Sequence, residues 1–216
     1  MNDLLHRIAA LASRQVRVLD VGLDLDGTFG IWFHEAYYHG CVAIGEVDPA
    51  VYPRIDAQHW DFYEALGHDL PQFLGNCDRL ADLGLLWDRP LIPGAATAWD
   101  AILDAGHRVH VITDRAFGSH PIASEVATRM WLNRYGRRYH SLTFTRHKSD
   151  VVTDAMLEDK IENYDELEDT QASRCWLINR PWNLVEGGDD RRRVDYHDEF
   201  VLEVLTMGAQ PDEAAA

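Results

Sequence analysis

Cysteine is scarce and poorly placed for cross-linking: Cys41, Cys77 and Cys175 stand far apart, without any CxxC spacing. Neither a disulfide scaffold nor a cysteine-rich zinc site is expected, and a reducing compartment fits. Long apolar runs are absent too, with no stretch near the ~18 residues a membrane span needs. Residues 1–15 are rich in Leu and Ala but broken by Asp3, His6 and Arg7, so the unbroken apolar centre of a signal peptide is missing. A cytoplasmic protein with no membrane partner is the expectation. Basic residues are few, 20 Lys and Arg against 36 Asp and Glu, for a formal charge of −16. Affinity for polymeric nucleic acid rests on neutralising phosphates, so no such partner is expected, although a local basic pocket can persist inside that field. There is no G-x-x-x-x-G-K-[ST] loop and no G-x-G-x-x-G, which removes the main supports for a nucleoside triphosphatase or a dinucleotide enzyme. The eleven histidines contain no H-E-x-x-H, and no internal repeat is visible.

What remains is the make-up of an ordinary globular protein: 216 residues, 46% hydrophobic and 26% charged. That length supports one substantial core, or a domain of ~150 residues with a small accessory piece. Leu4, Leu5, Ile8, Leu11 and Ala12 recur at helical spacing, predicting an amphipathic helix packed on the domain. Short apolar runs predict buried strands at Val16–Leu23, Val109–Ile112, Ser141–Thr145, Ala155–Leu157 and Cys175–Ile178. Helical patterns lie between them at Ala95–Ala105, closed by Gly106, and Ile122–Tyr135, closed by Gly136. Strands alternating with helices of this length predict an α/β fold, a Rossmann-like doubly wound parallel sheet. The stretch 29–90 breaks the alternation. It carries Trp32, Phe33, Tyr37, Tyr38, Trp60, Phe62 and Tyr63 but no clear strand, and Pro90 and Pro93-Gly94 close it. The expected organisation is a core of 1–28 and 91–207, a small, mostly helical cap of 29–90 inserted after the first strand, and a tail of 208–216.

Polar residues sit at the carboxyl end of nearly every predicted strand, the edge at which open parallel sheets bind ligands. Asp24-Leu25-Asp26-Gly27-Thr28 follows the first, Thr113-Asp114-Arg115 the second, Arg146-His147-Lys148 the third and Glu158-Asp159 the fourth. Asp24 and Asp26, two apart in extended chain, point the same way, and Gly27 permits a sharp turn after them. A calcium loop from Asp24 fails, because its sixth position is Phe29 where glycine is needed. Each cluster alone has an ordinary reading: a turn, a surface lysine, an acidic helix continuing through Glu162, Asp165 and Glu166. Their coincidence supplies carboxylates for a hard cation and a hydroxyl and cations for an anion, the inventory of Mg²⁺-assisted phosphoryl transfer.

In order, Asp24-Leu25-Asp26-Gly27-Thr28, Thr113, Lys148 and Glu158-Asp159 resemble the four motifs of the haloacid dehalogenase-like phosphohydrolases, over roughly residues 19–163. Trp60-Asp61-Phe62-Tyr63, Pro93-Gly94-Ala95, Arg146-x-Lys148 and Arg180-Pro181-Trp182-Asn183 resemble, less specifically, the 5′(3′)-deoxyribonucleotidases and their bacterial and phage relatives. The resemblance implies that Asp24 is the nucleophile forming an aspartyl-phosphate, and that Asp26 protonates the leaving oxygen and then activates water. It implies Mg²⁺ on the Asp24 carboxylate, the Asp26 main-chain carbonyl and Glu158, with Asp159 in support or in its place. Lys148 and Thr113 would hold phosphate. The implied substrate is a small phosphate ester, a nucleoside monophosphate. Arg146, and Arg115 or Asp114, are candidates at the phosphate, although Arg115 could instead simply pair with Asp114. Trp32, Phe33, Trp60 and Phe62 are candidates to stack on a base, or else they build the cap's own core. Two departures stand out: Asp114-Arg115 follow Thr113 where a small residue is usual, and Glu158 replaces the commoner Asp. Thr113-Asp114-Arg115 with Thr128-x-x-Trp131-Leu132 also resembles polynucleotide 3′-phosphatases, a substrate class the charge of −16 speaks against. A sugar-phosphate phosphatase and a non-catalytic binding protein are the remaining alternatives, and a homodimer is compatible with the sequence.

Overall fold

The computed structural model describes residues 2–14, 17–55, 57–120, 122–186 and 188–210, the side chains of 2–5 excepted. Six strands form one parallel sheet: β1 (Asp20–Leu23), β2 (Arg108–Thr113), β3 (Ser141–Phe144), β4 (Ala155–Glu158), β5 (Arg174–Ile178) and β6 (Arg193–Val194). Their spatial order is β3-β2-β1-β4-β5-β6. The strands therefore wind outward in both directions from β1, which is the α/β Rossmann-like arrangement the alternation predicts. β1 pairs on both sides, Leu23 lying opposite Val111 of β2 and Leu157 of β4. A strand covered on both faces and flanked on both edges has to be apolar throughout, and Val21, Gly22 and Leu23 are fully enclosed.

The strand predicted from Val16 begins later. Val16 lies outside the described residues, and Val18 is 58% exposed beyond the end of the sheet, so the ladder starts at Asp20. β6 carries no apolar run and went unread. Only Arg193 and Val194 pair, with Leu177 and Ile178.

Among the described residues seven α-helices accompany the sheet: α1 (Asn2–Ala12), α2 (Phe33–Ala43), α3 (Leu70–Asp82), α4 (Ala95–Asp104), α5 (Ala123–Arg134), α6 (Ile161–Asp169) and α7 (His197–Gly208). α1 packs on α7, with Ile8, Leu11 and Ala12 half-buried against the core. α7 buries Phe200, Val201, Val204 and Leu205, a single apolar stripe at helical spacing. Gly208, expected to open the tail, closes this helix; residues 211–216 lie outside the described set. Between β1 and β2, residues 29–90 contain α2, α3 and a 3₁₀ turn at Phe62–Leu66, with no strand among the described residues. α3 starts on Asp69, whose side chain accepts from Gln72 N at 2.8 Å as an N-cap. An aromatic core holds this segment together: Tyr63 stacks on Phe73 with centroids 4.3 Å apart, and Tyr37 meets Phe73 at 4.9 Å. No helix among the described residues is long and apolar enough to cross a membrane.

Candidate active site

The crevice where the strand order reverses, between the carboxyl ends of β1 and β4, gathers the acidic motifs. Asp24 is the first residue beyond β1, and the chain then turns through Leu25–Phe29 on two i→i+5 bonds, Phe29 N to Asp24 O at 3.3 Å and Gly30 N to Leu25 O at 2.5 Å. Gly27 makes the turn possible twice over. Its φ is +79°, and a Cβ there would lie 2.0 Å from Asp159 Oδ2.

Asp24, Glu158 and Asp159 are buried, and each offers a carboxylate oxygen within 4.8 Å of the others. Lys148 arrives from the 3₁₀ turn after β3 and is buried with them. Its ammonium contacts Asp24 Oδ1 and lies 2.6 Å from Glu158 Oε1. Three carboxylates against one ammonium leave an excess of negative charge. Two carboxylates at such a separation repel by roughly 3 kcal/mol even at an effective dielectric near 20. The protons respond accordingly. Burial, opposed by Lys148 and reinforced by Glu158 and Asp26, pushes the Asp24 carboxyl up to about 7. Burial, with Asp24 and Glu158, raises Asp159 well above the carboxylate range. Burial works against the Lys148 charge, but Asp24 and Glu158 outweigh it and hold the ammonium above its ordinary pKa. An all-oxygen donor set with surplus negative charge suits a hard divalent cation such as Mg²⁺. Asn163 donates to Glu158 Oε2 at 3.2 Å and Trp182 Nε1 to Asp159 Oδ2 at 3.1 Å, so both β4 acids are oriented from outside.

Asp26 stands apart from this trio. Its carboxylate is gripped by Arg115, whose Nη2 lies 2.6 Å from Oδ1 and whose Nε lies 2.9 Å from Oδ2. Any metal role for Asp26 therefore falls to its main-chain carbonyl. The sequence left Arg115 between a phosphate and Asp114; the structure turns it inward to Asp26. The guanidinium is fully enclosed, 4.4 Å from the Trp87 ring centroid and 5.1 Å from that of Trp131, with Thr128 Oγ1 at 3.3 Å. Asp26→Ala should therefore cost about 3–5 kcal/mol of stability, because a buried cation loses its counter-charge. Urea denaturation measures it.

A cleft of about 370 Å³ opens over these groups. Asp24, Asp26, Lys148, Glu158, Asp159, Thr113, Asp114, Arg146 and Trp60 line it, whereas the expected Arg115, Trp32, Phe33 and Phe62 do not. Arg146 is exposed, 3.8 Å from Asp114. Lys160 and Asn163 also line the cleft and were not anticipated. A smaller apolar recess of about 50 Å³ adjoins it, sharing Asp26, Trp60 and Asp159. Phe33 and Phe62 line this recess and also pack against each other in the aromatic core. His34, His59 and Trp182 complete its walls. Trp32 lies behind, 4.6 Å from the Arg180 guanidinium and edge-on to Trp182. Arg180 in turn donates to Gly27 O at 2.7 Å, and Asn183 to Asp159 O at 2.8 Å. The turn Arg180-Pro181-Trp182-Asn183 thus braces both acidic loops. No spacing rule links it to motifs some 20 and 150 residues away in the chain, and only family likeness had marked it.

No family model matches the chain. Over 77 residues, 35% of this chain, it is 36% identical to a protein of Chlorobaculum tepidum named "Putative 5'(3')-deoxyribonucleotidase". The matched part spans 38% of that protein's length, and it supports a nucleotidase-like relationship.

Proposed function

We propose that the chain is a Mg²⁺-dependent phosphomonoester hydrolase of the haloacid dehalogenase-like type, acting on nucleoside monophosphates of the 5′(3′)-deoxyribonucleotide class. One observation carries the reading: a buried carboxylate in ammonium contact, two further buried carboxylates beside it and a strand-end hydroxyl all line one cleft. The partial likeness to a protein named as a deoxyribonucleotidase points the same way.

In this reading Asp24 Oδ attacks phosphorus, the bond to the ester oxygen breaks, and Asp26 delivers a proton to that oxygen. Water then attacks the aspartyl-phosphate while Asp26, now a carboxylate, takes its proton; the bond from Asp24 to phosphorus breaks, phosphate leaves, and Asp24 returns as a carboxylate and Asp26 as the protonated acid that began the cycle. Lys148 holds its charge beside the nucleophile, so that two anions can approach, and Thr113 holds a phosphate oxygen. Asp24, Glu158 and Asp159 would hold Mg²⁺, which when bound neutralises charge shared between carboxylates and phosphate. The aromatic recess beside Asp26 and Asp159 takes the base. Residues 29–90, which supply Phe33, Trp60 and Phe62, act as the cap over the core of 1–28 and 91–207.

Phosphate release from a panel of nucleoside monophosphates and sugar phosphates tests this. Turnover of nucleotides that EDTA abolishes and added Mg²⁺ restores is expected. Turnover of sugar phosphates alone would overturn the nucleotide assignment. A second reading, a polynucleotide 3′-phosphatase, draws on one observation: Arg115, Thr128 and Trp131, the residues of that resemblance, meet in a single cluster behind Asp26. Preference for a 3′-phosphorylated oligonucleotide with steep salt dependence would favour it. The charge of −16 argues the other way.

A further inference from the structure

Trp182 lies between the carboxylate trio and the aromatic recess and touches both. On one side its Nε1–H donates to Asp159 Oδ2 at 3.1 Å. On the other its ring is a wall of the recess, 5.7 Å from Trp60 and 5.8 Å from His34 between centroids. The indole has little freedom to leave this position. Its backbone belongs to a 3₁₀ turn that opens on Arg180 and is locked by Asn183, whose side chain bonds Asp159 O and Ile178 O at 2.8 Å each. Trp32 meets it edge-on at 6.3 Å.

A carboxylate among like charges has no intrinsic preference for the orientation a metal needs. Its rotamer is set by whatever donates to its outer oxygen, and loss of such a donor ordinarily weakens metal binding 10–100-fold. Among the described residues Trp182 is the side chain that donates to Asp159 from beyond the trio, and the bare Gly27 leaves the room that Asp159 Oδ2 fills.

We propose that Trp182 is a positioning residue shared by two sites: its N–H orients Asp159 for a divalent cation, and its ring face receives the planar group that enters the recess. The proposal rests on the reading of the trio and the recess given above. One side chain then fixes the distance between the metal and the base, and so selects the length of ester that can span them.

Trp182→Phe separates the two roles, since it deletes the N–H and keeps an aromatic wall. The full chain and the variant are titrated with Mn²⁺ by electron paramagnetic resonance and with thymidine, which has no phosphate, by calorimetry. Mn²⁺ affinity is expected to fall 10–100-fold in the variant, with thymidine still bound. Equal Mn²⁺ affinity in the two proteins overturns the proposal, as does loss of thymidine with Mn²⁺ binding intact. A second measurement needs no folded variant: the Trp182 indole ¹H–¹⁵N signal of the wild-type chain should move on adding Mg²⁺ and again on adding thymidine. A signal that ignores Mg²⁺, in a protein that binds Mn²⁺, overturns the proposal alone. A wild-type chain that binds no Mn²⁺ removes the metal reading itself, and the two failures are thereby distinguished.

Discussion

Asp24→Asn removes turnover while leaving the fold in place. The asparagine is isosteric, so the contact from Thr28 Oγ1, 3.2 Å from Asp24 Oδ2, can survive, and Lys148 keeps Glu158 at 2.6 Å. What disappears, on the proposed mechanism, is the nucleophile. Loss of a covalent nucleophile costs roughly 10⁴-fold or more in kcat, about 5 kcal/mol at 1.36 kcal/mol per decade. Stability should hold or rise slightly, because a buried carboxylate that burial and its acidic neighbours hold partly protonated near pH 7 is replaced by a neutral amide. Steady-state phosphate release and a thermal melt check the two halves. Turnover surviving the change would sink the aspartyl-phosphate route and revive a role for Asp24 in binding alone.

Lys148→Met produces the opposite combination, with activity and stability falling together. The methionine fills most of the volume but leaves Asp24, Glu158 and Asp159 buried without their ammonium. Breaking a buried ion pair from one side costs about 3–5 kcal/mol, and kcat should fall roughly 10²–10³-fold, the scale for losing one charged donor at a reacting centre. The two losses separate on adding Mg²⁺. A cation that binds only the folded chain stabilises it by mass action, so millimolar Mg²⁺ should recover much of the lost stability and little of the rate. Unchanged urea midpoints in the variant would show that Lys148 is not the counter-charge the geometry makes it.

Much of this arrangement was legible because it is local. β2, β4 and β5 are apolar runs cut off by Thr113, Glu158-Asp159 and Asn179, and their buried setting demands nothing more. Asp24, Thr113, Lys148 and Glu158 stand at or just beyond the carboxyl ends of β1, β2, β3 and β4, so the order of apolar runs and polar clusters along the sequence gathers them. What stayed hidden is paired across long stretches of chain. Arg115 finds Asp26, 89 positions away, and no local signal favours that partner over adjacent Asp114. β6 gains its strand geometry from β5, not from its own Arg-rich sequence. The aromatic residues between β1 and β2 resisted assignment for a different reason. Phe33 and Phe62 both pack on Phe73 in the interior and line the recess, and composition does not distinguish the two surroundings.

The meeting of Gly27 with Asp159 has a bearing on how this chain can drift over time. With only 2.0 Å between a notional methyl and Asp159 Oδ2, a side chain at position 27 fits only if the Asp159 carboxylate is displaced. Codon changes at position 27 are thus filtered by geometry before chemistry is consulted. A homologue that had lost the acid at position 159 would be released from this clash, and the φ of +79° would remain as the reason to keep glycine at position 27.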